Sequence, residues 1–153
     1  MWFDVRGSVR ELVMASLALL ALSACAGDES PDPGPDAVDL PVRQIYDMSQ
    51  GGYFEGSYSY VRVENLDGDE LIEKRFTEDA GKLDELRFLS TMTLRIDPGS
   101  YRLVSFQRPC SGDCGHLDPP TDECSREIVV VRGRPVEATI TVRPGEGCAV
   151  EVE

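Results

Sequence analysis

The sequence predicts an all-β protein, one small antiparallel sandwich that follows an N-terminal apolar run and an acidic linker. Three observations predict it. Several segments alternate apolar and polar residues with period two, the spacing of a half-buried strand. Turn residues separate these runs at short intervals, as in sandwiches. Gly (14) and Pro (10) are raised in a chain of 153 residues, a length that suits one domain with short appendages.

In chain order, the first element is the apolar run 12–22, LVMASLALLAL. A bilayer span needs about 20 residues, so this run is too short and fits the core of a signal peptide. Arg6 and Arg10 precede it, although Asp4 and Glu11 weaken their charge; a start at Met14 would remove both arginines. Leu22-Ser23-Ala24-Cys25 follows directly. This segment resembles the lipobox of bacterial lipoproteins, in which small residues precede an invariant cysteine. The resemblance implies a signal peptide over 1–24, cleavage before Cys25, and a diacylglycerol on the Cys25 thiol. Two or three lipid chains hold a protein stably on a membrane. By the same resemblance Ala26, where Asp commonly signals inner-membrane retention, permits onward sorting. The expected location is outside the cytoplasm, on the outer membrane or the outer face of the plasma membrane. An ordinary signal peptide with an incidental cysteine is the alternative.

Residues 25–39 come next as a lipidated N-terminus and flexible tether. Gly27 to Asp39 holds three prolines and little to bury, a composition that stays extended or disordered.

The domain is expected over 40–153. Tyr53–Glu64 is a strand candidate broken near Gly56, and Leu71–Thr77 is its hairpin partner across Asp67-Gly68, a favoured hairpin turn. Ala80–Phe88 allows a helical turn or two, since Leu83 and Leu86 are three apart. Thr91–Ile96 places Met92, Leu94 and Ile96 on one face. Asp97-Pro98-Gly99-Ser100 matches type II turn chemistry. Tyr101–Gln107 and Glu127–Arg132 are rich in β-branched and aromatic residues. Arg132-Gly133-Arg134-Pro135 leads into Glu137–Val142, which points Ala138, Ile140 and Val142 the same way.

The stretch Leu94-Arg95-Ile96-Asp97-Pro98-Gly99-Ser100-Tyr101-Arg102-Leu103 resembles a recurrent strand, Pro-Gly-x-Tyr, strand pattern of extracellular sandwiches. These are the Cna-B-like and carboxypeptidase-regulatory-like domains, with an immunoglobulin-like or prealbumin-like fold. Val129–Gly133 and Ala138–Val142 are similar to their closing hairpin. Some of those domains carry a Lys–Asn isopeptide bond. The only Asn here is Asn65, outside the last strands, so none is expected.

Beyond Cys25 four cysteines remain, Cys110, Cys114, Cys124 and Cys148. In an exported chain an even set implies disulfides. Cys110–Cys114 with Cys124–Cys148 is the favoured pairing, and Cys110–Cys124 with Cys114–Cys148 is its rival. Zinc held by Cys110, Cys114, Cys124 and His116 is the alternative, but the spacing lacks a second close pair.

The net charge of −13 belongs to the chain after residue 24, because the charges before it cancel. An acidic surface repels nucleic-acid phosphates, so no nucleic-acid partner is expected. His116, the single histidine, lies near Asp113, Asp118 and Asp122. A hydrolase would pair it with Ser111 or Ser125, yet no nucleophile elbow surrounds either serine. Among so many acidic residues no carboxylate pair stands out as glycosidase-like. Asp67-Gly68-Asp69-Glu70 resembles half a calcium loop with its Gly too early; a calcium-stabilised stalk is the corresponding alternative. Tyr53, Phe54, Tyr58 and Tyr60 form an aromatic cluster expected mainly to pack in the core. The expectation is a non-enzymatic binding or structural module without cofactor, presented on a lipid anchor. Its partner is an envelope protein or small ligand met by the loop of Asp113, His116, Asp118 and Asp122. An enzyme accessory or weak hydrolase using His116 is the rival.

Overall fold

The computed structural model describes residues 32–51, 56–77, 81–110, 112 and 115–153. The expected signal peptide and Cys25 lie outside them. The fold is an all-β sandwich, with no helix among the described residues. Strands β1 (Val38–Asp47), β2 (Tyr58–Glu64), β3 (Glu70–Arg75), β4 (Gly81–Lys82) and β5 (Arg87–Ile96) form its first half. Strands β6 (Gly99–Arg108), β7 (Thr121–Val130), β8 (Ala138–Arg143) and β9 (Gly147–Val152) complete it. One sheet has the order β4-β5-β1-β8-β9 and the other β3-β2-β6-β7. After β1 the chain lays strands down in pairs, first in one sheet and then in the other.

The expected periodicity builds the core. Leu40 and Val42 of β1, Leu94 and Ile96 of β5, and Ala138, Ile140 and Val142 of β8 face Val61, Val63, Leu103, Ile128 and Val130 of the other sheet. Asp67-Gly68 makes the β2–β3 hairpin, with Gly68 at φ 96°. Asn65 secures it: the Asp69 N–H donates to Asn65 Oδ1 at 2.8 Å, and Asn65 Nδ2 donates to Asp69 Oδ2 at 2.8 Å. One carboxylate of the acidic loop is thereby engaged in the turn.

Several local expectations are corrected. Of the segment Ala80–Phe88, the described residues 81–88 form no helix. Lys82 and Phe88 pair across a hairpin whose loop leaves Leu83 and Leu86 exposed. Asp84 Oδ1 accepts from the N–H groups of Leu86 and Arg87, and Asp84 Oδ2 accepts from Arg87 Nε at 2.6 Å. A short acidic side chain that satisfies its own backbone favours a turn over a helix. The type II turn at Asp97–Ser100 is also absent, since Gly99 has no positive φ and opens β6. The segment is instead a corner between the sheets. The Tyr101 hydroxyl donates to the Asp97 carbonyl at 2.9 Å, the arrangement of a tyrosine corner. A Cβ on Gly99 would lie 2.8 Å from that hydroxyl, so glycine is needed there for close approach. Val129–Gly133 and Ala138–Val142 do not form a closing hairpin, because β7 and β8 lie in different sheets.

Two further strands were not foreseen. β1 carries Pro41, which argues against a central strand. Pro41 is tolerated because the parallel register with β8 begins one residue later, at Val42↔Ala138. This parallel pair departs from a wholly antiparallel sandwich. β9 pairs with β8 and sets Cys148, Val150 and Val152 against the core. The tether is also shorter than expected. Val38 and Asp39 belong to β1. Upstream of them the Gly34 N–H faces Asp97 Oδ2 at 3.4 Å, and Asp36 pairs with Arg132.

Candidate functional site

Strand directions place the β6–β7 loop. β1 runs from Val38 to Asp47, and Val38 lies opposite Ile96 of β5. β6 starts three residues after Ile96 and runs back along the sandwich, so Pro109 onward lies at the end where β1 finishes. The chain therefore enters at one end of the domain, and the cysteine-bearing loop sits at the other. A strand of ten residues such as β1 spans about 33 Å.

This loop is tied down. The Asp118 N–H donates to the Pro109 carbonyl at 2.9 Å, and Arg108 Nε approaches the Asp118 carbonyl at 3.5 Å. Cys110 is disulfide-bonded, and a Cβ on Gly56 of the β1–β2 connection would lie 3.6 Å from its Cβ. Cys114, its partner in the favoured pairing, lies outside the described residues, as does Asp113. Cys124 and Cys148 are bonded, with Cα atoms 5.4 Å apart, as the favoured pairing has it. The bond joins β7 to β9, end strands of opposite sheets. Cys110 and Cys124 thus have no thiolates to offer zinc. Among the described residues no three His, Cys, Asp or Glu side chains converge as a metal site.

The other expected loop residues separate. His116 is exposed and Asp118 is half-buried. Asp122 is not in the loop but in β7, at φ 47°, the one non-glycine residue with positive φ among those described. It lies where the β6–β7 register shifts between Ser105 and Gln107. Such bulges re-aim side chains at strand ends.

Beneath the loop the interior is polar, which the sequence did not suggest. Ser105 and Gln107 continue the inward-facing row of Leu103 and are buried. Gln107 Oε1 accepts from Ser59 Oγ at 2.8 Å. Gln107 Nε2, Ser105 Oγ and Gln44 Nε2 are buried with no protein partner. The available signal was the inner alternation Leu40, Val42, Gln44 and Tyr101, Leu103, Ser105, Gln107, which turns polar toward this end of both strands.

A charged rim surrounds this end of the five-stranded sheet. Asp47 accepts from Ser49 and faces Arg143 at 3.6 Å, which together lower its pKa. Hydrogen bonding to Arg87 lowers that of Asp84 and raises that of Arg87.

The aromatic cluster has a different place from the one expected. Tyr53 and Phe54 lie outside the described residues. Tyr58 and Tyr60 stand on the outer face of the four-stranded sheet, since Val61 and Val63 take the core positions. Tyr60 stacks on Phe106 with centroids 5.4 Å apart. Arg62 lies over Phe106 at 5.2 Å and Arg75 over Tyr58 at 4.6 Å. These contacts bury Phe106 on a face that water would otherwise reach. The chain matches no protein-family model and no curated protein.

Proposed function

We propose that the chain is an exported lipoprotein, anchored through Cys25, whose sandwich is a non-enzymatic binding or structural module of the cell envelope. The polarity of the domain carries this reading. An anchor upstream of Asp32 leaves the entry end of the sandwich toward the membrane and the β6–β7 loop away from it. The loop is braced by its backbone bonds and by disulfide-bonded Cys110, and loops held on a rigid scaffold are where recognition concentrates. The corner at Tyr101 supports kinship with the Cna-B-like and carboxypeptidase-regulatory-like sandwiches, which fits an extracytoplasmic module.

Two measurements test the reading separately. Replacement Cys25→Ser should move the chain from the membrane fraction to the soluble fraction and remove the mass of the lipid; persistence on the membrane would refute the anchor. A photocrosslinking residue at position 116 should capture one envelope protein in the anchored chain. Adducts no stronger than those from a position on the entry end, such as 36, would refute the loop as the contact. With the crosslinking residue moved to exposed position 119, His116→Ala should leave partner capture intact, whereas a hydrolase would lose turnover.

A further inference from the structure

Among the described residues, the side of the sandwich opposite the disulfide is open. β4 is two residues long and pairs only with Phe88 and Leu89. From Ser90 to Ile96, the outer edge of β5 has no strand partner among the described residues. Natural edges are guarded by charge, proline or bulges. The neighbouring edge strand β3 obeys this, with Glu70, Glu73, Lys74 and Arg75 among its six residues. The free part of β5, Ser-Thr-Met-Thr-Leu-Arg-Ile, has one charge and no proline. Thr91, Thr93 and Ile96 within it are strong strand formers.

Between these two edges lies a groove of about 520 Å³. Ile72, Met92 and Leu94 give it an apolar floor, and Lys74, Arg75 and Arg95 give it a cationic rim. The concentration of positive charge is unusual in a chain with 15 basic and 28 acidic residues. Arg75 borders the groove from the outer face of the four-stranded sheet, where it lies over the Tyr58 ring. A smaller hollow of about 190 Å³ continues the groove toward Ile96 and Tyr101. An acidic residue already reaches it: Asp32, with Pro33, lines both spaces.

We propose that this groove binds an extended acidic peptide, added as a strand along the free edge of β5. The peptide backbone bonds the exposed N–H and C=O groups of Thr91 to Arg95. Alternate side chains enter the apolar floor, and the carboxylates between them, on the outer face of the sheet, meet Arg95. Strand addition takes its affinity from main-chain bonds and its selectivity from alternate side chains. A second copy of this chain is a poorer occupant, since two chains of charge −13 repel each other. The site is independent of the lipid anchor and of the β6–β7 loop.

The test uses the full chain and a fluorescent eight-residue peptide alternating Glu and Val, followed by anisotropy at low and high salt. The Glu-Val peptide should bind at least about tenfold more tightly than a Lys-Val peptide, and high salt should weaken it. A central proline in the peptide should abolish binding, because it removes a ladder bond. Arg95→Glu, on an exposed position, should weaken binding about tenfold, while Arg126→Glu, exposed on β7 at the far side of the sandwich, should leave it unchanged. Equal binding of the Glu-Val and Lys-Val peptides, or no binding at millimolar peptide, would overturn the proposal. So would a concentration-dependent dimer that Thr93→Lys abolishes, which would assign the edge to a second copy.

Discussion

Where β7 faces β9, a covalent bond ties one sheet to the other; where β3 faces β5, a groove of about 520 Å³ separates them. β9 is an edge strand of six residues, held by β8 alone within its sheet. Cys148 fixes it to β7. β3 is likewise held by β2 alone, and β5 by β1 and the two-residue β4, and among the described residues no covalent bond joins them. Among the described residues that side carries no clamp, and the edge of β5 beyond Leu89 has no strand partner.

The largest expected effect is on the clamped side. Cys148→Ser should cost about 2–4 kcal/mol, because the bond constrains the unfolded chain across a separation of 24 residues. Urea unfolding would give the value, and amide exchange should quicken in β9 before β2 or β3. A loss well under about 1 kcal/mol would mean that packing alone holds this edge, since the bond then adds less than its constraint on the unfolded chain predicts.

The corner between β5 and β6 comes next, at the entry end of the open side. Tyr101→Phe removes a hydrogen bond to the Asp97 carbonyl and should cost about 1 kcal/mol. Burial, and then the charge of Asp97, raises the pKa of the Tyr101 phenol. A raised folded-state pKa means that this stability is complete below about pH 10, the ordinary tyrosine value, and is lost as pH climbs through the folded value. Alkaline melting curves should show that decline in the native chain and a shallower one in Tyr101→Phe.

A smaller change is expected inside the clamped end. Gln44→Met replaces a buried amide whose Nε2 has no protein partner with a similar apolar chain. Stability should rise by up to about 1 kcal/mol. A fall in melting temperature would instead show that the amide is satisfied by bound water. The smallest effect belongs to the open edge. Thr93→Lys, exposed on β5, should change stability by less than about 0.5 kcal/mol while guarding the edge against strand pairing. A large loss there would mean that the edge is already covered.

Legibility in the sequence followed the range of the interactions. Thr91–Ile96 and Glu137–Val142 were readable because a strand writes its buried face into every second residue. Asp67-Gly68 was readable because the turn from Asn65 to Gly68 ends on a residue that must tolerate positive φ. Leu83 and Leu86 misled because two leucines three apart suit a helix, while Asp84, the residue that settles the loop, acts through its own backbone. Pro41 concealed β1, since its tolerance depends on where a partner nearly a hundred residues away begins to pair. At the candidate site His116 and the cysteines were visible by residue type. The polar floor of Gln44, Ser105 and Gln107 was not, because an isolated polar residue carries no sign of burial.

By itself, then, the sequence determined most of the strand-forming segments but not β1, β4 or β9, together with the all-β class, the β2–β3 hairpin and a favoured Cys124–Cys148 pairing. Tertiary structure decided which sheet each strand joined, that β1 would lie parallel to β8, and that one side would close while the other stayed open. The physical reason is that period-two alternation is the same whichever sheet receives a strand. The choice between sheets rests on contacts among residues far apart in the chain, and those exist only once the two layers have met.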